Sequence, residues 1–299
     1  MNKLDEVKVS ISVIAYNQEK YIKKCLESIL MQKTNFKFEI LIHDDASTDN
    51  TAKIIKEYEM KYSDIIKPIY QTENQYSKGV KISVTFNYPR AQGKYFASCE
   101  GDDFWDDEYK LQKQYDYMER NPECSMCVHA AYIVSEGGER TDLLFRPYNK
   151  NMKMTTEDVI DGWKFATNSK FYRTEYLKTF PDFYYNAPVG DYPSSIYIST
   201  KGYVYYMDEL MSSYRRGADN NLTSILNKDF AKKIRLQESM IRMLREINIY
   251  YNRQYEKVIQ KEIKRRNKVI INIKKEKFLH NLKKKFPILS ELKRKLVKR

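Results

Sequence analysis

Glu100-Gly101-Asp102-Asp103 is the stretch of this chain best suited to chemistry. Three carboxylates around one glycine repel one another unless a cation or a row of backbone N–H groups balances them. Hard oxygen ligands at this spacing suit Mg²⁺ or Mn²⁺, which keep some waters and share coordination with substrate phosphates. A plainer reading competes, in which Asp102, Asp103, Asp106 and Asp107 simply start the helix that follows. Asp is a favoured helix cap and complements the positive end of the helix dipole.

The elements around this stretch decide what else can reach it. Val7 to Ile14 reads as a strand ending in Ala15-Tyr16-Asn17-Gln18, and Glu19 to Met31 has the apolar spacing of a helix. Phe38 to Ile42 is a second strand, closing on His43-Asp44-Asp45. Ser47, Thr48 or Asp49 can cap the helix beyond it. Ile65 to Tyr70 and Tyr95 to Cys99 are further strands. Val80 to Ala91 reads as a helix disturbed by Pro89, and Lys110 to Met118 as the helix after the acids. Strands alternating with helices predict a three-layer α/β/α sandwich with a mostly parallel central sheet. Ligands bind beyond the carboxyl ends of such strands, where Tyr16-Asn17, Asp44-Asp45 and Glu100 to Asp103 all fall. No Gly-x-Gly-x-x-Gly follows the first strand and no P-loop is present, so a bound diphosphate needs another counter-charge.

The chain has 299 residues and a formal net charge of +13, unevenly distributed. Residues 228–299 hold 24 Lys/Arg and 7 Asp/Glu, a net of +17, whereas the first 227 hold 29 and 33, a net of −4. A nearly neutral body, 1–227, with halves 1–105 and 106–227, is therefore expected ahead of a basic helical tail, 228–299. No apolar run reaches the roughly 20 residues that span a bilayer, and Met1 to Glu6 has no signal-peptide core, so a cytoplasmic location is expected. Cys124-Ser125-Met126-Cys127 has metal or redox spacing, but without a second pair the four cysteines read as buried reduced thiols.

Val9 to Asn17, Glu39 to Thr51, and Gly93-Lys94-Tyr95-Phe96 leading into Glu100-Gly101-Asp102-Asp103 together resemble a family 2 glycosyltransferase of GT-A fold, over roughly residues 7–216. The resemblance implies an inverting transfer from a nucleoside-diphosphate sugar, UDP by preference, to a hydroxyl of a glycan, lipid-linked or protein acceptor, with Mn²⁺ or Mg²⁺ as cofactor. It implies that Tyr16 stacks on the base with Asn17 and Glu19 beside it, that Asp45 and Asp44 bond the base, and that Glu100 lies near the ribose. Asp102 and its neighbour Asp103 would hold the metal. Asp191, in Pro188-Val189-Gly190-Asp191-Tyr192-Pro193, matches the general base, although Gly190 replaces the acid usual before it and a plain turn Asp would look alike. Arg215, in Ser213-Tyr214-Arg215-Arg216-Gly217, matches a basic loop over the diphosphate, and no metal-binding His follows.

The second half offers a short helix from Thr156 to Trp163, a strand from Ala166 to Arg173 and another from Tyr203 to Met211. From Asp229 the pattern is helical. Phe278, Leu282, Phe286, Leu289, Leu292 and Leu296 recur among lysines, the pattern of an amphipathic helix on an anionic membrane surface or against a partner. Each basic residue near such a surface adds about 1 kcal/mol. The tail matches no nucleic-acid module. The missing spans and the lack of Gln-x-x-Arg-Trp argue against a processive polymer-extruding synthase. Two other functions fit the fold class: a nucleotidyltransferase that makes the sugar nucleotide, and a non-catalytic scaffold or membrane adaptor.

Overall fold

The computed structural model describes residues 6–162, 164–218 and 229–285. Two compact units divide the chain, Met1–Asn221 and Leu222–Arg299.

The first unit is built on one sheet. Val7–Ala15 (β1), Lys37–Asp44 (β2), Ile66–Tyr70 (β3) and Tyr95–Ser98 (β4) pair in parallel in the order β3-β2-β1-β4. Val9, Ile11 and Val13 are fully buried, as are Ser10 and, almost wholly, Ser12 between them, so β1 is covered on both faces. Ile22–Leu30 (α1) and Thr51–Lys61 (α2) make the crossovers between the first three strands. Cys25, Leu26 and Ile29 are the core face of α1.

Beyond β4 the sheet becomes mixed. Phe171–Arg173 (β9) runs antiparallel between β4 and Cys124–Val134 (β6), which restores the direction of the first strands. Tyr203–Arg215 (β10) then lies parallel to β6. Phe104–Trp105 (β5), Arg140–Phe145 (β7) and Met152–Met154 (β8) complete ten strands by antiparallel pairing. The carboxyl ends of β1, β2, β4, β6 and β10 therefore share one rim, as a ligand site at strand ends requires.

Several expected elements differ in detail. Val80 to Ala91 is not one helix: Ser83–Asn87 is a π turn and Tyr88–Arg90 a 3₁₀ turn. Pro89 lacks an N–H, and the Asn87 amide turns inward to donate to Ser12 Oγ and the Leu41 carbonyl. Only Phe171–Arg173 of the strand expected from Ala166 pairs in the sheet, since Thr167–Ser169 forms a 3₁₀ turn. The short helix covers Thr156–Ile160 (α4), with a capping box between Thr155 and Asp158. The strand expected over Tyr203 to Met211 continues to Arg215. β6 was not foreseen, and both of its cysteines are free and buried, as are Cys25 and Cys99.

Among the described residues the second unit is a pair of helices, Phe230–Tyr250 (α7) and Glu256–Lys285 (α8). Lys110–Arg120 (α3), Asp182–Tyr185 (α5) and Asp191–Ser199 (α6) belong to the first. Asp229 caps α7 through the N–H groups of Ala231 and Lys232. The turn into α8 has Asn252 and Arg253 in left-handed conformation, and Arg266 reaches back from α8 to Gln237 at 3.1 Å. Phe286, Leu289, Leu292 and Leu296 of the expected stripe lie outside the described residues. No helix among the described residues is long and apolar enough to cross a membrane.

Candidate active site

The end of β1 passes directly beneath the acidic loop. The Gly101 N–H donates to the Ile14 carbonyl at 3.0 Å, and a Cβ at Gly101 would stand 2.2 Å from Gln18 Oε1 and 3.2 Å from that same carbonyl. A glycine leaves room for the loop to lie this close without displacing the Gln18 side chain. The acids on either side are thereby folded back on each other. One carboxylate oxygen from each of Glu100, Asp102 and Asp103 falls in a group whose members are all within 4.8 Å of one another.

The capping reading does not hold for Asp102 and Asp103. β5 intervenes, and α3 begins only at Lys110, so Asp102 and Asp103 do not cap it. Asp107 does the local work, accepting from the Tyr109 N–H at 2.7 Å. The donor set fits a hard divalent ion: three carboxylates, with Asp103 Oδ2 buried and lacking a hydrogen-bond partner among the described residues. Burial pushes the Glu100 carboxyl up to about 8, helped by the charges of Asp102 and Asp191 and opposed by Lys170. Burial likewise raises Asp102 to about 6, against the pull of Arg215, and raises Asp103 with help from Asp102 and Glu100. With no cation beside them, these groups resist ionisation together.

Asp191 lies near enough to Glu100 for its charge to be felt there. It is the first residue of α6, after the N-cap Gly190, rather than part of a loop. Its Oδ2 accepts from Thr167 Oγ1 at 3.2 Å and stands 3.7 Å from Lys170 Nζ. Lys170, which sequence reading missed, is buried. A lysine reads as surface by default, and its acidic partners are 21 residues ahead and far behind in the chain. Burial depresses its ammonium, with Asp191 and Glu100 acting the other way.

The remaining expected residues split into two groups. Tyr16 follows β1 with 37% of its surface exposed, free to present its ring. Asn17 and Glu19 tie loops together. Asn17, in left-handed conformation, donates its N–H to Ser47 Oγ and accepts from the Thr48 N–H at 2.7 Å, while Glu19 accepts from the Asn50 N–H and side-chain amide. Asp44 accepts from the Ser47 N–H, leaving a buried Oδ1 with no partner among the described residues. Asp45 accepts from the N–H groups of Gln75 and Tyr76 at 2.8 and 3.0 Å. It so holds Tyr76, whose hydroxyl feels the charge of Glu100, against the same rim. Arg215 commits Nε to the Asp102 carbonyl and Nη1 to the carbonyls of Ser135 and Glu136, a pin for the acidic loop.

A model of the family described as "Glycosyl transferase family 2" matches residues 10–179. An uncharacterised protein of Mycobacterium tuberculosis is 35% identical over 210 residues, covering 70% of this chain and 59% of its own length. An uncharacterised glycosyltransferase of Methanocaldococcus jannaschii is 28% identical over 182 residues, 60% of this chain and 56% of its own. The chain thus spans under two thirds of the length of these relatives. Among solved structures, Staphylococcus aureus TarS 1–349 in complex with UDP-GlcNAc aligns with a TM-score of 0.61 at 20% identity, over 81% of this chain and 67% of that one. The mannosyltransferase PcManGT from Pyrobaculum calidifontis, in complex with GDP-Man and Mn²⁺, aligns with a TM-score of 0.55 at 15% identity, over 82% and 66%. What these two structures share with the chain is the fold, a GT-A-like α/β arrangement.

Proposed function

The chain belongs to glycosyl transferase family 2, and from that membership we propose that it transfers a sugar from a nucleoside-diphosphate donor to an acceptor hydroxyl with inversion. The observation that carries this reading is the cluster of Glu100, Asp102 and Asp103 at the rim of the sheet, with Asp191, remote from them in sequence, near enough for its charge to reach Glu100. The donor nucleotide would be uridine diphosphate, with Tyr16 against the base and Asp44 and Asp45 below it. TarS binding UDP-GlcNAc supports that choice, and PcManGT binding GDP-Man keeps guanosine as its competitor.

Glu100, Asp102 and Asp103 would hold Mn²⁺ or Mg²⁺. Bound there, the ion supplies charge neutralisation and a template for the leaving diphosphate. The chain's own steps are simpler. Asp191 takes the proton of the acceptor hydroxyl while that oxygen bonds to the anomeric carbon, and the bond to the diphosphate oxygen breaks on the opposite face. One displacement inverts the centre; two through an enzyme-bound sugar would retain it. Arg215 serves by fixing the acidic loop rather than by reaching the phosphates. The acceptor would be a glycan, a lipid-linked sugar or a protein, presented where the basic tail meets an anionic membrane surface.

The test is nucleoside diphosphate release from a panel of sugar nucleotides with Mn²⁺, in wild type and in Asp191→Asn. The expected variant keeps nucleotide binding and loses turnover by about 10²–10⁴-fold. Near-normal turnover would remove Asp191 as the base. Pyrophosphate release from a nucleoside triphosphate would favour the nucleotidyltransferase reading instead.

A further inference from the structure

One short turn holds the Asp191 carboxylate, and it carries a buried lysine. Within Thr167–Ser169, Thr167 Oγ1 donates to Asp191 Oδ2 at 3.2 Å. The next residue, Lys170, is 3% exposed, and its Nζ donates to the Asp191 main-chain carbonyl at 2.9 Å and stands 3.7 Å from Oδ2. The turn itself is pinned. Asn168 accepts from Ser212 Oγ at 2.8 Å and donates to the Ser213 carbonyl at 2.9 Å, Trp105 Nε1 donates to the Asn168 carbonyl at 3.1 Å, and Gln114 donates to the Ser169 carbonyl at 3.0 Å. A cation is buried at such cost only where charge partners repay it. Here the partners are Asp191 and Glu100, two carboxylates that otherwise repel one another.

We propose that Lys170, assisted by Thr167, is a positioning residue that holds the Asp191 carboxylate at the rim beside Glu100, so that the base meets the acceptor hydroxyl in one fixed orientation. The proposal rests on Asp191 being the base. Its ammonium offsets the Glu100–Asp191 repulsion, and its bond to the Asp191 carbonyl fixes the first turn of α6. A methionine in its place would fill the volume and leave the Asp191 carboxylate and carbonyl without the ammonium.

The experiment uses the full chain as wild type, Lys170→Met, Lys170→Arg, Thr167→Val, Asp191→Asn and the Lys170→Met/Asp191→Asn pair. Release of UDP or GDP is followed with Mn²⁺ and whichever of UDP-GlcNAc and GDP-mannose the wild type cleaves, UDP or GDP affinity is measured by calorimetry, and Lys170→Met is crystallised. The expected result is a loss in kcat of about 10–100-fold for Lys170→Met, with nucleotide affinity within about threefold, partial recovery in Lys170→Arg, and no further loss when Lys170→Met is added to Asp191→Asn. A purely structural role would give additive losses in that pair and would overturn the proposal, as would kcat within about twofold of wild type. If Lys170→Met does not fold, Thr167→Val and Lys170→Arg decide by the same split. If the wild type cleaves neither donor, the structures decide: an Asp191 carboxylate that keeps its place without the ammonium ends the proposal, and one swung away from Thr167 supports it. Normal turnover in Asp191→Asn would instead end the reading on which the proposal rests.

Discussion

Arg215 donates its main-chain N–H to Asp103 Oδ1 at 2.8 Å and its Nε to the Asp102 carbonyl at 2.8 Å. One residue at the end of β10 therefore fastens both consecutive acids of the loop after β4, 112 positions earlier. Its guanidinium also covers the Tyr21 ring at 4.6 Å. The acidic loop is held by the buried Arg215 through the Asp102 carbonyl and the Asp103 carboxylate, whereas the resemblance suggests a phosphate contact for that arginine.

Arg215→Met should accordingly destabilise the fold and weaken metal binding together. Leaving the buried Asp102 carbonyl without its donor costs about 1–3 kcal/mol. Arg215→Lys should recover little, because an ammonium cannot serve three carbonyls from one plane. Thermal denaturation and Mn²⁺ titration of the two variants check this; a Met variant with wild-type melting temperature and Mn²⁺ affinity would contradict it.

The acid cluster makes stability depend on pH in a direction opposite to the usual carboxylate. Glu100 is raised from 4.5 to about 8 and Asp102 from 3.8 to about 6, so between those limits the folded chain binds protons that the unfolded chain has released. Stability without metal is then fully present below about pH 4, falls through pH 6 as Asp102 ionises, and falls further toward pH 8 with Glu100. Mn²⁺ binding displaces those protons, so its affinity should rise over the same window. Melting temperatures from pH 5 to 8.5 with EDTA and with Mn²⁺ should diverge as pH increases. Parallel curves would mean that the cluster does not bind the ion.

Asp45 illustrates a different balance. Both its oxygens accept main-chain N–H bonds, from Gln75 and Tyr76, while its own N–H reaches the Ala15 carbonyl at 2.9 Å. Asp45→Ala should release the segment around Tyr76 and leave two donors unpaired, at a cost of about 1–3 kcal/mol. UDP or GDP affinity should drop by about tenfold or more, since about 1.4 kcal/mol is one decade. Calorimetric titration of the variant with the nucleotide and Mn²⁺ checks it, and unchanged affinity would remove Asp45 from the nucleotide site.

The parts of this site that were legible in the sequence are those carried by local pattern. The runs Val9–Val13, Ile40–Ile42 and Tyr95–Ala97 announce buried strands, and the polar clusters after them mark the rim. β6 escaped because Ser125 and His129 break its apolar run, although both are buried. The split of 80–91 depends on the Asn87 amide finding Ser12, and Arg90 finding the carbonyls of Ile42 and Lys67, partners no local window contains. Lys170 and Arg215 follow the same rule. A buried cation declares itself only when its distant acids and carbonyls are known, so the charge balance of the site stayed hidden while its acids were plain.

The tail supplies a last prediction. On α8, Ile259, Ile263, Ile270 and Ile273 are buried, whereas Phe278 and Leu279 are 63% and 55% exposed, with Lys274, Lys275 and Lys277 just before them. Large exposed apolar groups among lysines suit the headgroup region of an anionic bilayer, where ring and leucine enter the acyl boundary and the ammonium groups meet phosphate. Sedimentation with phosphatidylglycerol vesicles should pull the full chain down, zwitterionic phosphatidylcholine vesicles should do so far less, and added salt should weaken the first by screening. Phe278→Glu with Leu279→Glu should reduce vesicle binding by about tenfold or more, as apolar burial and charge attraction are lost together. Donor cleavage in free solution should stay at the wild-type rate in that variant. Equal binding to both vesicle types would remove the lysines from the interaction, and binding to neither would overturn the membrane reading.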